Sequence, residues 1–463
     1  MRQPATRPVT DMRTTTLSVV TLASFLTPFT GSSVNIALPS LAGELNLDAI
    51  TLGWVATAYL LTTAIVLVPS GRLADIYGRK RVFLGGITIF GLASLLIGLA
   101  PTGGILIGFR VLQGLGAAMI SSTGIAILTS VYPANEKGRV LGFNTAAVYV
   151  GLSVGPTVGG FITQQFGWRG VFLANIPLAA LAAVLTIWRL GGEWAEARGD
   201  KFDVLGTVIY ALALLTLIYG FSLLPAPSGF ALIAVSIVAF AVFLVWEGRT
   251  ASPILDIGMF KNNTVFTLSN IAALINYSAT SASGFLLSLY LQQIKGFTPQ
   301  VAGLVLISQP IVQALFSPLA GRLSDTVEPR LLASAGMSMT AVGLFMFSFL
   351  SPDTPDEVII LVLMLLGLGF GLFSSPNTNA VMSSVQRRLY GVASATLSTM
   401  RTVGQTLSIG MAVLIFAIVI GHVEITPAYY PQLMTSIRLT FTLFAVLCVF
   451  GIFASLSRGT LHH

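Results

Sequence analysis

A short charged stretch, GRLADIYGRKR at residues 71–81, returns 250 positions later as GRLSDTVEPR at residues 321–330. Each copy follows one long apolar run and precedes another, so each reads as a tight turn joining two helices that cross a bilayer. A chain with such a turn in each half is built from two related bundles. Paired bundles rocking about a central site are a common design for a secondary transporter. A water-soluble fold does not suit this pattern: 54% of residues are hydrophobic and only 9% charged, against roughly 25% charged in a soluble domain. With a mean hydropathy of +0.87, the chain must be solvated by lipid.

At roughly 20 apolar residues per span, fourteen runs qualify: 15–38, 51–70, 82–100, 104–131, 139–162, 170–189, 204–223, 229–246, 265–291, 300–320, 331–350, 358–383, 391–420 and 435–456. The repeated turn aligns spans 1–6 with spans 9–14. The expected fold is an all-α integral membrane protein of two six-helix bundles related by pseudo-twofold symmetry, residues 1–190 and 264–463. Residues 191–263 supply linkers and an inserted two-helix hairpin. With the N-terminus inside, most of the 24 Lys and Arg fall on the cytoplasmic side. Arg169, Lys295 and Arg438 fall outside, and Arg110 and Arg401 within spans. This asymmetry is the positive-inside rule, and it puts both termini in the cytoplasm. The net charge of +7 is then a topology signal, with some attraction to anionic membrane lipid and no implication of nucleic acid. Arg2, Arg7 and Arg13 precede the first run, yet no small-x-small cleavage site follows, so a retained span is expected rather than a leader.

Two linkers flank the hairpin. GGEWAEARGDKFD, residues 191–203, is charged. In residues 247–263, Ile254, Leu255, Ile257, Met259 and Phe260 alternate with polar residues, as in a short amphipathic segment on the inner membrane surface or an irregular tether. Cys448 stands alone, which excludes an internal disulfide framework or a cysteine cluster. The sequence contains no HExxH, GxSxG or Walker A motif, and none of its three His is mid-span. An enzyme, a metal centre and a cofactor are therefore not expected.

Gly71, Arg72, Leu73, Asp75, Gly78, Arg79, Lys80 and Arg81 match a known pattern between spans 2 and 3. Arg110, Gln113, Gly114 and Gly116 match one in span 4, and GLSVGPTVGG at 151–160 one in span 5. SVNIALPSL, and WRGVFLANIP with Trp168, Arg169, Asn175 and Pro177, add further signatures. On these residues, over essentially its whole length, the chain resembles the major facilitator superfamily, and within it the fourteen-span drug/proton antiporter group.

The resemblance implies a gate at Gly71, Arg72, Asp75, Arg79, Lys80 and Arg81. There Asp75 would accept hydrogen bonds from helix N-terminal amides of the opposite bundle while pairing with an arginine. Gly321, Arg322 and Asp325 form the weaker twin, because Pro329 stands where the first copy has Arg79. The alternative is a basic turn that only obeys topology. Gly151, Gly155, Pro156, Gly159 and Gly160 would hinge or seal the contact between bundles, since small residues at spacing four let helices approach closely. Arg110 is expensive in mid-membrane and by resemblance faces the central cavity; the alternative is a structural arginine bonded to backbone carbonyls. Arg401, with Gln405 one turn on, either lines the cavity or snorkels.

Buried amides and hydroxyls turn away from hydrocarbon, toward helix–helix bonds or water. Candidate cavity residues are Asn35, Tyr59, Gln113, Asn144 and Tyr149, with Asn270, Asn276, Tyr277, Tyr290, Gln309, Gln313, Asn377 and Asn379 in the second half. No Asp or Glu falls well inside a span. The drug/proton group typically carries an Asp in the first span, where this chain has Thr30, and a hydroxyl does not titrate near neutral pH. The resemblance implies a monomeric secondary active transporter in the cell membrane. It would move small amphipathic or drug-like solutes by alternating access, in the export direction, with protons the candidate coupling ion. A facilitator or importer of an organic anion is the alternative, and a non-transporting membrane scaffold the alternative of another class.

Overall fold

The computed structural model describes residues 9–250, 253–255, 257–324, 326–386 and 390–459. Apart from one backbone bridge between Asp48 and Glu424, the described residues form helices and connecting turns. In the first half these are α1 (Val9–Leu45), α2 (Ala49–Tyr77), α3 (Arg79–Gly98), α4 (Gly103–Val131), α5 (Ala134–Leu173) and α6 (Asn175–Arg189). The hairpin is α7 (Val204–Leu223) and α8 (Pro227–Glu247), followed by a short α9 (Ile257–Asn262). The second half has α10 (Thr264–Thr280), α11 (Ser283–Leu289), α12 (Pro299–Leu306), α13 (Ser308–Leu323), α14 (Pro329–Phe347), α15 (Asp356–Ser383), α16 (Tyr390–Val419) and α17 (Tyr430–Leu456).

Local chemistry sets several starts. Asp48 accepts from the Ile50 and Thr51 amides at 2.9 Å, Asp203 from Gly206 at 2.8 Å, and Asn263 from Phe266 at 2.9 Å. These caps satisfy donors that a first helical turn leaves orphaned. Pro227, Pro299 and Pro329 open helices where a missing N–H costs nothing.

Twelve helical stretches among the described residues are long and apolar enough to cross a membrane, against the fourteen expected. The difference has two sources. Ala146–Arg189 is a single 44-residue apolar stretch, although Gly167, at φ 73°, interrupts its helical backbone. The expected ninth span is divided into α10, α11 and a π-helical turn, Tyr290–Ile294, so neither α-helical piece is long enough alone.

In the first half α1 lies along α5, α4 packs on α2 and α3, and α6 on α1 and α3; in the second, α15 packs on α13 and α14, and α10 on α16 and α17. Between the halves, α2 meets α16 and α5 meets α12, while α7 touches α2 and α16. Polarity is inverted relative to a soluble protein. Phe166 and Trp188 are each 72% exposed, while Arg110, Gln113, Asn270 and Asn276 are buried. That is the arrangement for a chain whose outer face meets lipid and whose polar groups bond inward.

The second linker packs inward. Ile254 and Leu255 lie against a cluster from α2, α7 and α8, and Met259 and Phe260 against the second half. The segment combines both expectations: an irregular lead-in at 253–255 and a short helix, α9, whose apolar residues are partly covered by protein.

Candidate functional site

At the end carrying the first charged turn, α2 gives way to α3 at Gly78, and Asp75 and Arg79 meet across that break, four positions apart. Asp75 Oδ1 accepts from Arg79 Nε at 2.9 Å. Arg79 is 8% exposed and also grips Glu196 in bidentate fashion, Nη1 to Oε1 at 3.0 Å and Nη2 to Oε2 at 3.1 Å. Its Nη1 donates as well to Ser130 of α4. Glu193 accepts from the Lys80 amide at 2.9 Å and lies 3.6 Å from Arg81, and Asp200 accepts from Arg72 at 2.8 Å. The linker backbone joins too, the Arg79 amide bonding Trp194 O and the Ala197 amide bonding Asp75 O.

The charged linker therefore docks on the turn and supplies the acids that its cations need. Asp75 has the arginine partner that the sequence suggested, Arg79, and in this conformation its side chain bonds within its own turn rather than to amides of the opposite bundle. The acidic spacing Glu193, Glu196 and Asp200 was the visible signal for these partners. Since Arg79 is shared, Asp75→Asn leaves it paired with Glu196. We expect stability to change by about 1 kcal/mol or less, because Asp75 is partly solvated and its arginine keeps a second acid, while the initial transport rate falls several-fold. Glu196→Gln should do the same, and the double variant should lose more than either. Parent rates in both single variants would show the network to be irrelevant to turnover.

The second turn is built differently. Gly321 and Arg322 close α13, with Gly321 in ordinary contact with Ser375 and Arg322 exposed. Asp325 lies outside the described residues. A guanidinium arrives from beyond α17: buried Arg458 donates to Pro329 O at 2.8 Å, Asn377 Oδ1 at 2.7 Å and Ser269 Oγ at 3.1 Å. Burial pulls its pKa down to about 10, so it stays protonated at neutral pH. Arg458 thus reaches the position where the first turn has Arg79, and Asn377 is held by it rather than left open. From sequence Arg458 was only one more cytoplasmic cation.

At the opposite end the glycine stripe of α5 serves two neighbours. Gly151, Gly155 and Gly159 pack on α1, where Ser33 Oγ donates to Gly155 O at 2.9 Å. Pro156 and Gly160 face α12 of the second half. A Cβ at Gly303 would stand 2.2 Å from Pro156 O, and one at Gly160 would stand 2.4 Å from Pro299 O. The two helices interlock backbone to backbone. Further cross-links at this end join the Ala49 amide to Val423 O at 3.0 Å and Gln292 Nε2 to Ile36 O at 2.9 Å. Trp168 Nε1 donates to Glu44 at 2.8 Å beside an Arg169–Glu44 pair, tying α5 to the end of α1.

Between the ends lie the two intramembrane arginines. Arg110 is 1% exposed. Its Nε donates to Val55 O at 2.9 Å, its Nη1 to Gln113, and Gln113 Nε2 to Ser94 Oγ at 2.8 Å. Its guanidinium carbon lies 4.3 Å from the centre of the Tyr59 ring and 5.8 Å from that of Phe172. Arg110, Gln113 and Tyr59 are thus one packed network inside the first half. Arg401 is half-buried. Its Nη2 donates to Thr378 at 2.6 Å, it lies 5.7 Å from the Tyr277 ring, and its Nε is buried without a hydrogen-bond partner. Next to it Tyr149 of α5 meets Ser374 of α15 at 3.3 Å, with the Tyr277 hydroxyl in reach of the same serine. This cluster draws on both halves, roughly 20 Å along α5 from its first residue.

The remaining candidates are dispersed. Asn35 abuts Gly284, while the Gln309 carbonyl packs on Gly367. Tyr290 donates to Ser351 O at 2.7 Å, and Asn270 to its own helix at Phe266 O. Asn144 Oδ1 and both amide atoms of Asn276 are buried without partners. Thr30 is fully buried, its hydroxyl oxygen 2.8 Å from both Leu26 O and Asn175 Oδ1, which compete for its one proton.

A family model described as Major Facilitator Superfamily matches residues 20–247 and 269–460. The riboflavin transporter RibZ of Clostridioides difficile is 31% identical over 83% of this chain and 84% of its own length. The multidrug resistance protein Stp of Mycobacterium tuberculosis (strain CDC 1551 / Oshkosh) is 33% identical over 86% of this chain and 74% of its own. Among solved structures, the peptide transporter POT in complex with sulfate superposes with a TM-score of 0.69 over 94% of each chain, at 13% identity. At that identity the likeness speaks for the fold alone.

Proposed function

We propose, from the premise that this chain belongs to the major facilitator superfamily and is a multi-pass membrane transporter rather than an enzyme, that it exports small amphipathic or drug-like solutes by alternating access. The observation that carries the reading is a difference between the two ends among the described residues. The α5–α12 interlock seals the end remote from the basic turn, whereas at the basic end Asp75, Arg79 and Glu196 bond within the first half and its linker. Such a conformer suits a carrier open toward its basic end. The relative named for multidrug resistance supports the solute class.

We place the basic end and both termini in the cytoplasm of a cell-membrane protein that works as a monomer, following the positive-inside rule. We read fourteen spans. Ala146–Arg189 counts as two because a 44-residue helix would be roughly 66 Å long, about twice a bilayer core, and the backbone breaks at Gly167. Residues 264–294 count as one discontinuous span. The domain division at 190 and 263 follows from this count. Thr30 offers only a hydroxyl, which does not titrate near neutral pH, so we expect proton coupling to be weak or unconventional.

The test is flux in proteoliposomes with a pH gradient, a sodium gradient or neither, using cationic, neutral and anionic dyes. Export predicts uptake into vesicles in which the basic end faces out. A facilitator or importer of an organic anion, the second reading, has a relative named as a riboflavin transporter on its side. It predicts movement that only equilibrates, or that runs the other way. In a Cys448→Ser background, cysteines at Thr102, Ser228 and Asp353 should label from outside the cell and one at Arg198 should not. External labelling at Arg198 would overturn the topology.

A further inference from the structure

Arg110 and Arg401 bear the same cost of a cation in the membrane, yet they meet it differently. Arg110 is enclosed by a carbonyl, an amide oxygen and two aromatic rings. Arg401 has one hydroxyl acceptor, Thr378, and a buried Nε with nothing to donate to. No ion pair to it forms among the described residues, and no Asp or Glu of the sequence falls well inside a span to provide one. An uncompensated guanidinium is stable where an anion visits.

The surroundings narrow that anion further. Tyr277 and Phe370 stand edge to face with ring centroids 5.1 Å apart, both largely buried, and Tyr149 approaches from the other half through Ser374. Aromatic faces beside a planar cation favour a flat, delocalised ligand. From this juxtaposition we infer that Arg401, Tyr277, Phe370, Ser374 and Tyr149 form a binding site for a planar aromatic anion. Its carboxylate or phenolate pairs with Arg401, and its ring lies against Tyr277 and Phe370. The inference rests on the transport reading above, in taking the junction of the two halves as the solute path.

Two dyes of one xanthene skeleton and opposite charge separate the possibilities: fluorescein, an anion, and rhodamine 6G, a cation. Equilibrium binding to the purified full chain should favour fluorescein at least tenfold. Arg401→Gln should weaken fluorescein at least tenfold and leave rhodamine 6G unchanged or tighter, and Arg401→Lys should recover part of the loss. If Arg401→Gln does not purify as a monodisperse protein, Ser374→Ala and Tyr149→Phe, which keep the charge, should each weaken fluorescein severalfold. Equal binding of both dyes by the parent, or fluorescein binding indifferent to these substitutions, would overturn the inference. Transport of rhodamine 6G with no recognition of fluorescein would sink the anion site and leave the transporter standing. Arg401-dependent fluorescein binding without movement of either dye would do the reverse.

Discussion

Replacing Gly303 by leucine is expected to lower the initial transport rate at least a hundredfold while the chain still folds. Even a Cβ at Gly303 would lie 2.2 Å from Pro156 O and 2.8 Å from Pro156 C. Both atoms are backbone, so no side chain can swing aside. Gly160 makes the reciprocal approach to Pro299 O, so α5 and α12 cannot slide to relieve one overlap without worsening the other. Overpacking costs about 1–3 kcal/mol even where side chains can yield, and moving a two-state equilibrium from 99:1 to 1:99 takes about 5.5 kcal/mol. Several carbon atoms forced against rigid backbone supply that. The closed-end state is then lost, and with it the cycle. The substitution leaves the contacts within each half in place, so size-exclusion behaviour should match the parent. A cysteine at Ser374, in the Cys448→Ser background, should become reachable from the Pro299 end only in the leucine variant. A Gly303→Leu protein transporting within threefold of the parent would refute the interlock as a gate.

Arg110→Ala is expected to cost about 3–5 kcal/mol of stability, in line with breaking a buried charged network. It leaves the Gln113 oxygen without its donor, uncovers the Tyr59 face and opens a cavity among α2, α3 and α4. Arg110→Met keeps most of the volume and removes the charge, so it should recover more than half of that loss, because an apolar replacement spares the desolvation of the cation. Thermal unfolding in detergent, read beside dye affinity, tests the assignment. A structural arginine predicts that affinity survives wherever the fold does. Should Arg110→Met be as stable as the parent yet fail to bind any dye, Arg110 would be a solute contact after all.

The contrast between the two arginines marks where sequence reasoning reaches its limit. Each lies inside an apolar run with a glutamine three or four residues on, Gln113 or Gln405. Nothing local separates them. Their helices are apolar on nearly every face, as membrane helices are, so periodicity does not reveal which side meets protein, cleft or lipid. Only the rotation of α4 and α16 against their neighbours puts Arg110 over Tyr59 and leaves Arg401 beside the junction with α5.

The linker at residues 191–203 shows the same limit. Its acids were legible as charges, but their pairing with Arg72, Arg79 and Arg81 joins segments more than a hundred positions apart, which composition cannot encode. The glycine stripe was visible as a place for close approach. Its division between α1 for Gly151, Gly155 and Gly159 and α12 for Pro156 and Gly160 was not.

By itself the sequence determined the membrane class, most of the spans and the two charged turns, because solvation by lipid is decided nearly residue by residue and nearly all charge falls in loops or at the ends of helices. Tertiary structure alone decided which cations are satisfied and where the halves lock together. Those depend on distances between helices remote in sequence, and a hydrogen bond exists or fails within a few tenths of an ångström.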